Sequence, residues 1–153
     1  MLLLCAFLVG IVSGLRTFTP LAVVSWFARS GSLAVASTPL AFMGYRYTPI
    51  MFTVLALFEY VVDKLPKTAS RKTPPQFIAR ILSGALTGAT IGASGASLTA
   101  GVIVGAIGAV AGTLGGAAMR AKLAAAFGRD LPAALLEDVL AIGLAIIFLL
   151  RVR

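Results

Sequence analysis

Long apolar blocks, separated by short polar or basic segments, make up most of this 153-residue chain. The blocks cover residues 2–27, 48–65, 77–93, 98–118 and 131–150. A helix needs about 20 apolar residues to cross the hydrocarbon core of a bilayer, so each block predicts a membrane-crossing helix. The remaining apolar segment, residues 33–43, is short and contains Pro39. It fits a half-helix, a re-entrant segment or a tilted full crossing.

Arg16 and Pro20 interrupt the first block. Because proline has no backbone N–H and clashes with the preceding turn, we expect a kink at Pro20. Residues 29–32, Arg-Ser-Gly-Ser, predict a turn after the block. The block lacks a basic start and a persuasive cleavage site, so we interpret it as a retained helix rather than a signal peptide.

Two pairs of similar segments indicate an internal repeat. Gly10–Thr17 aligns with Arg80–Thr87, and Ala56–Val61 aligns with Ala134–Val139 in the same order. We therefore predict an all-α integral membrane protein with about six transmembrane segments, one of them short or broken, arranged as two inverted three-segment repeats. Chance similarity is the alternative, because apolar segments use few residue types.

The repeat divides a single membrane domain that covers residues 1–153. We place repeat 1 at about residues 1–66, a basic loop at about 66–75 and repeat 2 at about 76–153. An odd number of crossings in each half gives the two halves opposite orientations, as in many secondary transporters.

Composition supports the membrane interpretation. Apolar residues make up 59% of the chain and charged residues 12%, about half the charged fraction of soluble domains. The net charge is +8, and the densest group of cations is Lys64, Lys67, Arg71 and Lys72. No aromatic residue interleaves that group, so we do not expect nucleic acid as a partner. Anionic lipid of the bilayer fits this loop better.

The cations also predict the orientation. Basic loops of membrane proteins stay in the cytoplasm, so we expect residues 64–80 on the cytoplasmic side of a bacterial inner membrane, together with Arg29. Both termini are then expected outside.

The five acidic residues all lie in or near the repeated motifs, and they are Glu59, Asp63, Asp130, Glu137 and Asp138. Ionisable groups inside a membrane are costly and by default mark an ion, proton or substrate site. We expect Glu59 and Glu137 to converge on a cation or a proton. Neighbours on a helix point about 100° apart, so Asp138 is expected to face another helix.

Arg16 is also expected inside the membrane, where it needs a carboxylate partner, and Glu59 and Glu137 are the candidates. The candidate ion- or substrate-binding residues are Ser13, Arg16, Thr17, Glu59, Asp63, Ser83, Glu137 and Asp138. A structural role is the alternative: the two glutamates would pair with Arg16 and Arg80 to hold helices together. Asp63 and Asp130 could instead lie at lipid headgroups.

Glycines recur every four residues in the second half of the chain. They form two rows, Gly84, Gly88 and Gly92, and Gly108, Gly112 and Gly116. This spacing lets helices approach closely in lipid. We expect packing within one subunit, and the alternative is packing between the subunits of a homo-oligomer.

Several kinds of chemistry are disfavoured. The chain has no histidine, and Cys5 is its only cysteine, which excludes an intrachain disulfide and a cysteine metal site. Ser13 and Ser83 therefore lack the usual base that activates a serine nucleophile. We expect no enzymatic activity and no cofactor, and metal binding stays open.

Two segments of the chain form a distinctive pattern: residues 13–22, SGLRTFTPLA, and residues 59–68, EYVVDKLPKT, with Ser70 and Arg71. These motifs resemble those of a small bacterial inner-membrane family, domain of unknown function 4126. Residues 79–85 and 136–143 fit the same pattern, so the resemblance covers nearly the whole chain. It implies a membrane location and no particular activity.

Two functions fit these observations. The first is a secondary transporter or ion-translocating protein that uses paired intramembrane carboxylates. The second is a non-transporting membrane scaffold, or a lipid-handling protein, whose buried acids and arginine are structural.

Overall fold

A computed structural model describes residues 1–63, 73–128 and 130–151. Within these ranges it contains six α-helices, one short 3-10 helix and no strand, which confirms the all-helical fold for the described part of the chain. The helices are α1 (Leu2–Leu15), α2 (Phe18–Arg29), α3 (Thr48–Val62), α4 (Pro74–Ala93), α5 (Leu98–Phe127) and α6 (Asp130–Leu150). The basic cluster of residues 64–72 lies outside the described residues, so its contact with lipid stays a prediction.

Successive helices run in opposite directions. Trp26 of α2 donates to Thr53 of α3, whereas Thr19, at the start of α2, lies 2.6 Å from the hydroxyl of Tyr60 near the end of α3. These two helices are therefore antiparallel. We call one end of the bundle the terminal end, because Met1 lies there together with the last residues of α2, α4 and α6. The opposite end, where α3 ends and α4 begins, is the loop end.

The first apolar block forms two helices instead of one. α1 ends at Leu15, Arg16 is extended, and α2 begins at Phe18. The expected kink at Pro20 is wrong, because Pro20 lies in the first turn of α2, where no intrahelical partner exists for the missing N–H. The chain turns instead at Arg16 and Thr17, and α2 packs back against α1.

Residues 33–43 do not form a crossing. They make turns that lead into the 3-10 helix Ala41–Gly44, and they cover the terminal end of α2 with the buried side chains of Leu33, Val35 and Met43. Arg29 ends α2 at this same end. Its expected position beside the basic loop is therefore wrong, because the reversal at Arg16 brings α2 back to the end where the chain starts.

The apolar core lies towards the terminal end. One cluster combines Cys5 and Val9 of α1 with Val24 of α2, Ile91 of α4 and Leu149 of α6. This half of the bundle is thus closed by ordinary apolar packing. The polar side chains of the candidate site lie in the other half.

Glycines bring α4, α5 and α1 into backbone contact. A methyl group added at Gly84, Gly88 or Gly92 would overlap backbone atoms of α5 or of the turn before it, and one added at Gly108 or Gly112 would overlap the backbone of α1. Gly116 is also buried. The two glycine rows therefore pack helices of one chain against each other.

Two helices are long and apolar enough to cross a membrane, and they are α5 and residues Leu131–Leu150 of α6. α1 and α3 are apolar but have 14 and 15 residues, fewer than the roughly 20 that span a bilayer as one straight helix. Length and composition of this kind also occur in core helices of soluble proteins. The six crossings therefore stay a prediction.

We expect Gly88→Ala to destabilise the protein, because the added methyl group would push α4 away from Gly101 and Gly105. Overpacking of this kind costs about 1–3 kcal/mol. The measurement is the thermal midpoint of the purified protein, followed by the fluorescence of Trp26. Gly115→Ala is the matched control, because a Cβ at Gly115 meets nothing within 4 Å. Equal midpoints for the two variants would contradict the packing argument.

Candidate functional site

The break between α1 and α2 leaves backbone groups that need partners. The N–H groups of Thr17 and Phe18 donate to the two carboxylate oxygens of Glu59, at 2.8 and 2.9 Å. The first N–H groups of a helix have no intrahelical acceptor, and a negative charge is favourable there. Glu59 of α3 therefore caps α2 from a different helix.

Arg80 caps the other side of the break, where α1 ends. Its Nη1 donates to the carbonyl oxygens of Gly14 and Leu15 at 2.9 and 2.5 Å, and these carbonyls belong to the last turn of α1. A cation at a helix C-terminus is favourable. Arg80 Nη2 also lies 3.9 Å from Glu59 Oε1, so the residues that cap the two sides of the break are joined to each other.

Arg16 lies at the centre of the site and has no exposed surface. It forms ion pairs with Asp63 at the end of α3 and with Asp138 of α6, and its guanidinium group lies 5.4 Å from the centre of the Tyr60 ring. A buried charge is stable only when it is paired. The expected pairing of Arg16 with Glu59 and Glu137 is wrong, because the shorter aspartates hold it.

Asp138 was expected to face another helix and Glu137 to face the centre. Asp138 does face another part of the chain, since it pairs with Arg16 between α1 and α2, whereas Glu137 does not converge with Glu59. Glu137 lies 3.5 Å from Arg120 of α5. The structure thus brings Arg16, Glu59, Asp63 and Asp138 together.

Hydroxyl groups connect α1 and α4 beside the arginines. Ser83 Oγ donates to the carbonyl oxygen of Thr17 at 2.5 Å, and the hydroxyls of Ser13 and Thr87 lie 3.3 Å apart. The alignment of the two halves pairs Ser13 with Ser83 and Thr17 with Thr87. Under this alignment, the contact of Ser13 with Thr87 corresponds to the contact of Ser83 with Thr17.

A cavity of about 410 Å³ opens beside the break. Its polar lining consists of Thr17, Glu59, Asp63, Thr73 and Gln76. Its apolar lining consists of Phe18, Phe58, Val62, Pro75 and Ala79. Both carboxylates of the lining belong to the ionic network around Arg16 and Arg80, so the cavity gives direct access to buried charge.

Asp63 lies at the loop end, where α3 ends, whereas Arg80 and Asp138 are recessed from it. α4 begins six residues before Arg80 and α6 eight residues before Asp138, which corresponds to about 9 and 12 Å along the helix axes. Within the described ranges, no group of three or more carboxylate or thiol side chains is arranged to hold a metal ion.

Sequence reasoning missed a polar row on α4. Its members, spaced alternately four and three residues apart, are Gln76, Arg80, Ser83, Thr87, Thr90 and Ser94. This spacing places residues on one helix face, and the four central members are buried. The periodicity was present in the sequence, hidden by the larger glycine signal of the same helix. Arg120 and Tyr60 gave no comparable signal.

The family domain of unknown function 4126 (DUF4126) matches residues 3–150. The chain belongs to this family. The match includes all six helices and every residue of the network, so the site lies within the DUF4126 domain. No curated protein and no solved structure matches the chain.

We expect Glu59→Gln to destabilise the protein, because an amide can accept from one of the two N–H groups while its NH2 group opposes the other. A buried donor left without an acceptor costs about 1–3 kcal/mol. Glu59→Asp keeps the charge and shortens the side chain by one methylene, so it tests whether the carboxylate must reach both N–H groups. The cap predicts lowered thermal midpoints for both variants. A wild-type midpoint for Glu59→Gln would contradict it.

Proposed function

We propose that the protein is a small multi-pass membrane transporter that moves a proton or a cation through the site at Arg16. The observation that carries the proposal is the cavity, since its carboxylates Glu59 and Asp63 belong to a buried ionic network. In a structural network of ion pairs, nothing requires access from outside. Here, Glu59 and Asp63 belong to the network and also line the cavity.

Exposed apolar side chains support a membrane location. Val54, Leu57 and Val61 of α3, and Leu82 of α4, are each more than half exposed, and similar residues cover the outer faces of α5 and α6. An apolar surface of this extent is unusual in a soluble protein and suits contact with lipid. We infer that all six helices lie in the membrane, with α1 and α2 forming a shorter hairpin that turns at Arg16.

The distribution of cations supports a cytoplasmic loop end. The chain between α3 and α4 carries four lysine and arginine residues, and Arg120 and Lys122 lie in the loop-end half of α5. Basic residues favour the cytoplasmic side. The cavity then opens towards the cytoplasm of a bacterial inner membrane, and both termini lie outside.

The charges beside the cavity favour uptake of a positive species. Glu59 and Asp63 are the charged side chains among the described residues of the lining, whereas Arg16 and Arg80 are almost fully buried. Because opposite charges attract, a proton or a cation that enters the cavity meets carboxylates first.

The polar row on α4 offers a path from the site to the terminal end. Thr87 and Thr90 are fully buried and donate to carbonyl groups of their own helix, which keeps hydroxyl oxygens as acceptors inside an apolar bundle. Ser94 ends the row at the C-terminal cap of α4. We infer that the transported charge passes along this row.

The inverted repeat is part of the proposal. Each half contributes three alternating helices, and the alignment exchanges the contact of Ser13 with Thr87 for that of Thr17 with Ser83. The capping residues have no such exchange, since Arg80 aligns with Gly10. The repeat therefore accounts for the pairing of α1 with α4, and the caps are particular to one half.

A structural scaffold, or a lipid-handling protein, is the second candidate. The observation that favours it is that Glu59 and Arg80 together hold the break between α1 and α2. If that is the whole role of the charges, their removal changes stability, and the wild-type protein gives no ion flux above that of protein-free liposomes. Flux measurements on folded variants separate the two functions.

Asp63→Asn should reduce ion flux by about tenfold or more, because hydrogen bonds to charged groups contribute about 1.5–3 kcal/mol. The measurement is proton entry into proteoliposomes under a potassium diffusion potential, followed with a trapped pH dye. Glu137→Gln is the matched control, since it removes a carboxylate outside the cavity lining. Unchanged flux in a folded Asp63→Asn variant would contradict the role of Asp63, and wild-type flux no greater than that of protein-free liposomes would favour the scaffold.

Thr87→Val should slow the same flux, because it keeps the side-chain shape and removes a hydroxyl from the polar row. Thr113→Val is the control, since Thr113 is a buried hydroxyl of α5 that donates to its own helix at Ala109. Equal losses of flux in both variants would show that buried hydroxyls act through stability, and would contradict the path along α4.

A further inference from the structure

We propose that the cavity beside the α1–α2 break binds an organic monocation with an apolar body, such as a substituted ammonium or phosphonium ion. The proposal rests on the transport function for the claim that this molecule is carried across the membrane, and the binding claim can be tested separately.

The volume of the cavity argues for an occupant larger than an ion. A water molecule takes about 30 Å³ in the liquid, and the cavity measures about 410 Å³. Pockets for small organic ligands start at about 300 Å³. A proton or a bare metal ion would leave most of this space to other molecules, whereas an organic molecule of moderate size fills it.

The lining combines apolar and charged side chains. Phe18, Phe58 and Val62 provide apolar surface, and Glu59 and Asp63 provide the charge. An apolar body contacts the aromatic rings, and a cationic group is attracted both by the carboxylates and by the faces of aromatic rings. A neutral molecule gains only the first contact, and an anion is repelled by the carboxylates.

Asp63 is the better placed of the two carboxylates to hold the cation. Glu59 already accepts from two backbone N–H groups, and moving it uncaps α2. Asp63 touches Arg16 through Oδ2, and its side chain is 12% exposed. A carboxylate offers about four acceptor positions, so Asp63 can contact a ligand without releasing Arg16.

The geometry also disfavours a ligand that carries two positive charges. Arg16 has two aspartate partners, so Asp63 shares its negative charge with a guanidinium group. A dication would meet repulsion from Arg16 and Arg80 behind the lining. The site therefore selects a single, diffuse positive charge over a compact multivalent ion.

The test uses ions matched in shape. Tetraphenylphosphonium and tetraphenylborate have nearly the same size and opposite charge, and tetramethylammonium has the charge with little apolar body. Binding of each to the purified full-length protein in detergent is measured by equilibrium dialysis, with empty detergent micelles subtracted. We expect saturable binding of tetraphenylphosphonium alone, weakened about tenfold in Asp63→Asn and unchanged in Glu137→Gln.

Three results would overturn the proposal. Equal binding of tetraphenylborate would show that the cavity selects apolar surface regardless of charge. Equal binding of tetramethylammonium would show that the apolar lining contributes nothing. Unchanged tetraphenylphosphonium binding in a folded Asp63→Asn variant would place the bound ion elsewhere.

Proteoliposomes separate this proposal from the transport function. If tetraphenylphosphonium binds as expected and the protein gives no proton flux above that of protein-free liposomes, the site is correct and the transport function is wrong. If proton flux depends on Asp63 and tetraphenylphosphonium does not bind, the transport function stands and the organic cation is wrong.

Discussion

The burial of Arg16 between Asp63 and Asp138 is the constraint on which this fold depends. A guanidinium group without solvent contact needs carboxylates at fixed positions, and removing a partner from such a pair costs about 3–5 kcal/mol. The two aspartates come from α3 and α6, and Arg16 follows α1. One side chain therefore sets the relative positions of three helices that are far apart in sequence.

Charged side chains also stabilise the break beside Arg16. A helix that ends inside an apolar bundle exposes carbonyl oxygens, and one that begins there exposes N–H groups. Arg80 binds the carbonyls of α1 and Glu59 binds the N–H groups of α2. Because Arg80 and Glu59 also attract each other, the interruption is neutralised locally, and the chain can reverse direction within an apolar bundle.

Much of the fold could be predicted from apolar block lengths, because α3 to α6 each follow one block. The reversal at Arg16 could not, since an apolar block of 26 residues fits one long helix as well as two short ones. The residues of the site were predicted, but their pairing was predicted wrongly, because Arg16 pairs with aspartates and not with glutamates. Which carboxylate reaches it depends on helix rotation and on one methylene of length, and neither quantity can be read from spacing along the chain.

The glycine contacts decide where this molecule can change shape. α4 and α5 touch through their backbones, as do α5 and α1, and close-packed backbones leave little freedom to slide. These three helices therefore act as a rigid frame. α2 and α3 contact each other and the frame through larger side chains, such as Val24 of α2 in the apolar core. Movement of the α2–α3 pair relative to the frame would therefore break fewer backbone contacts than movement within the frame.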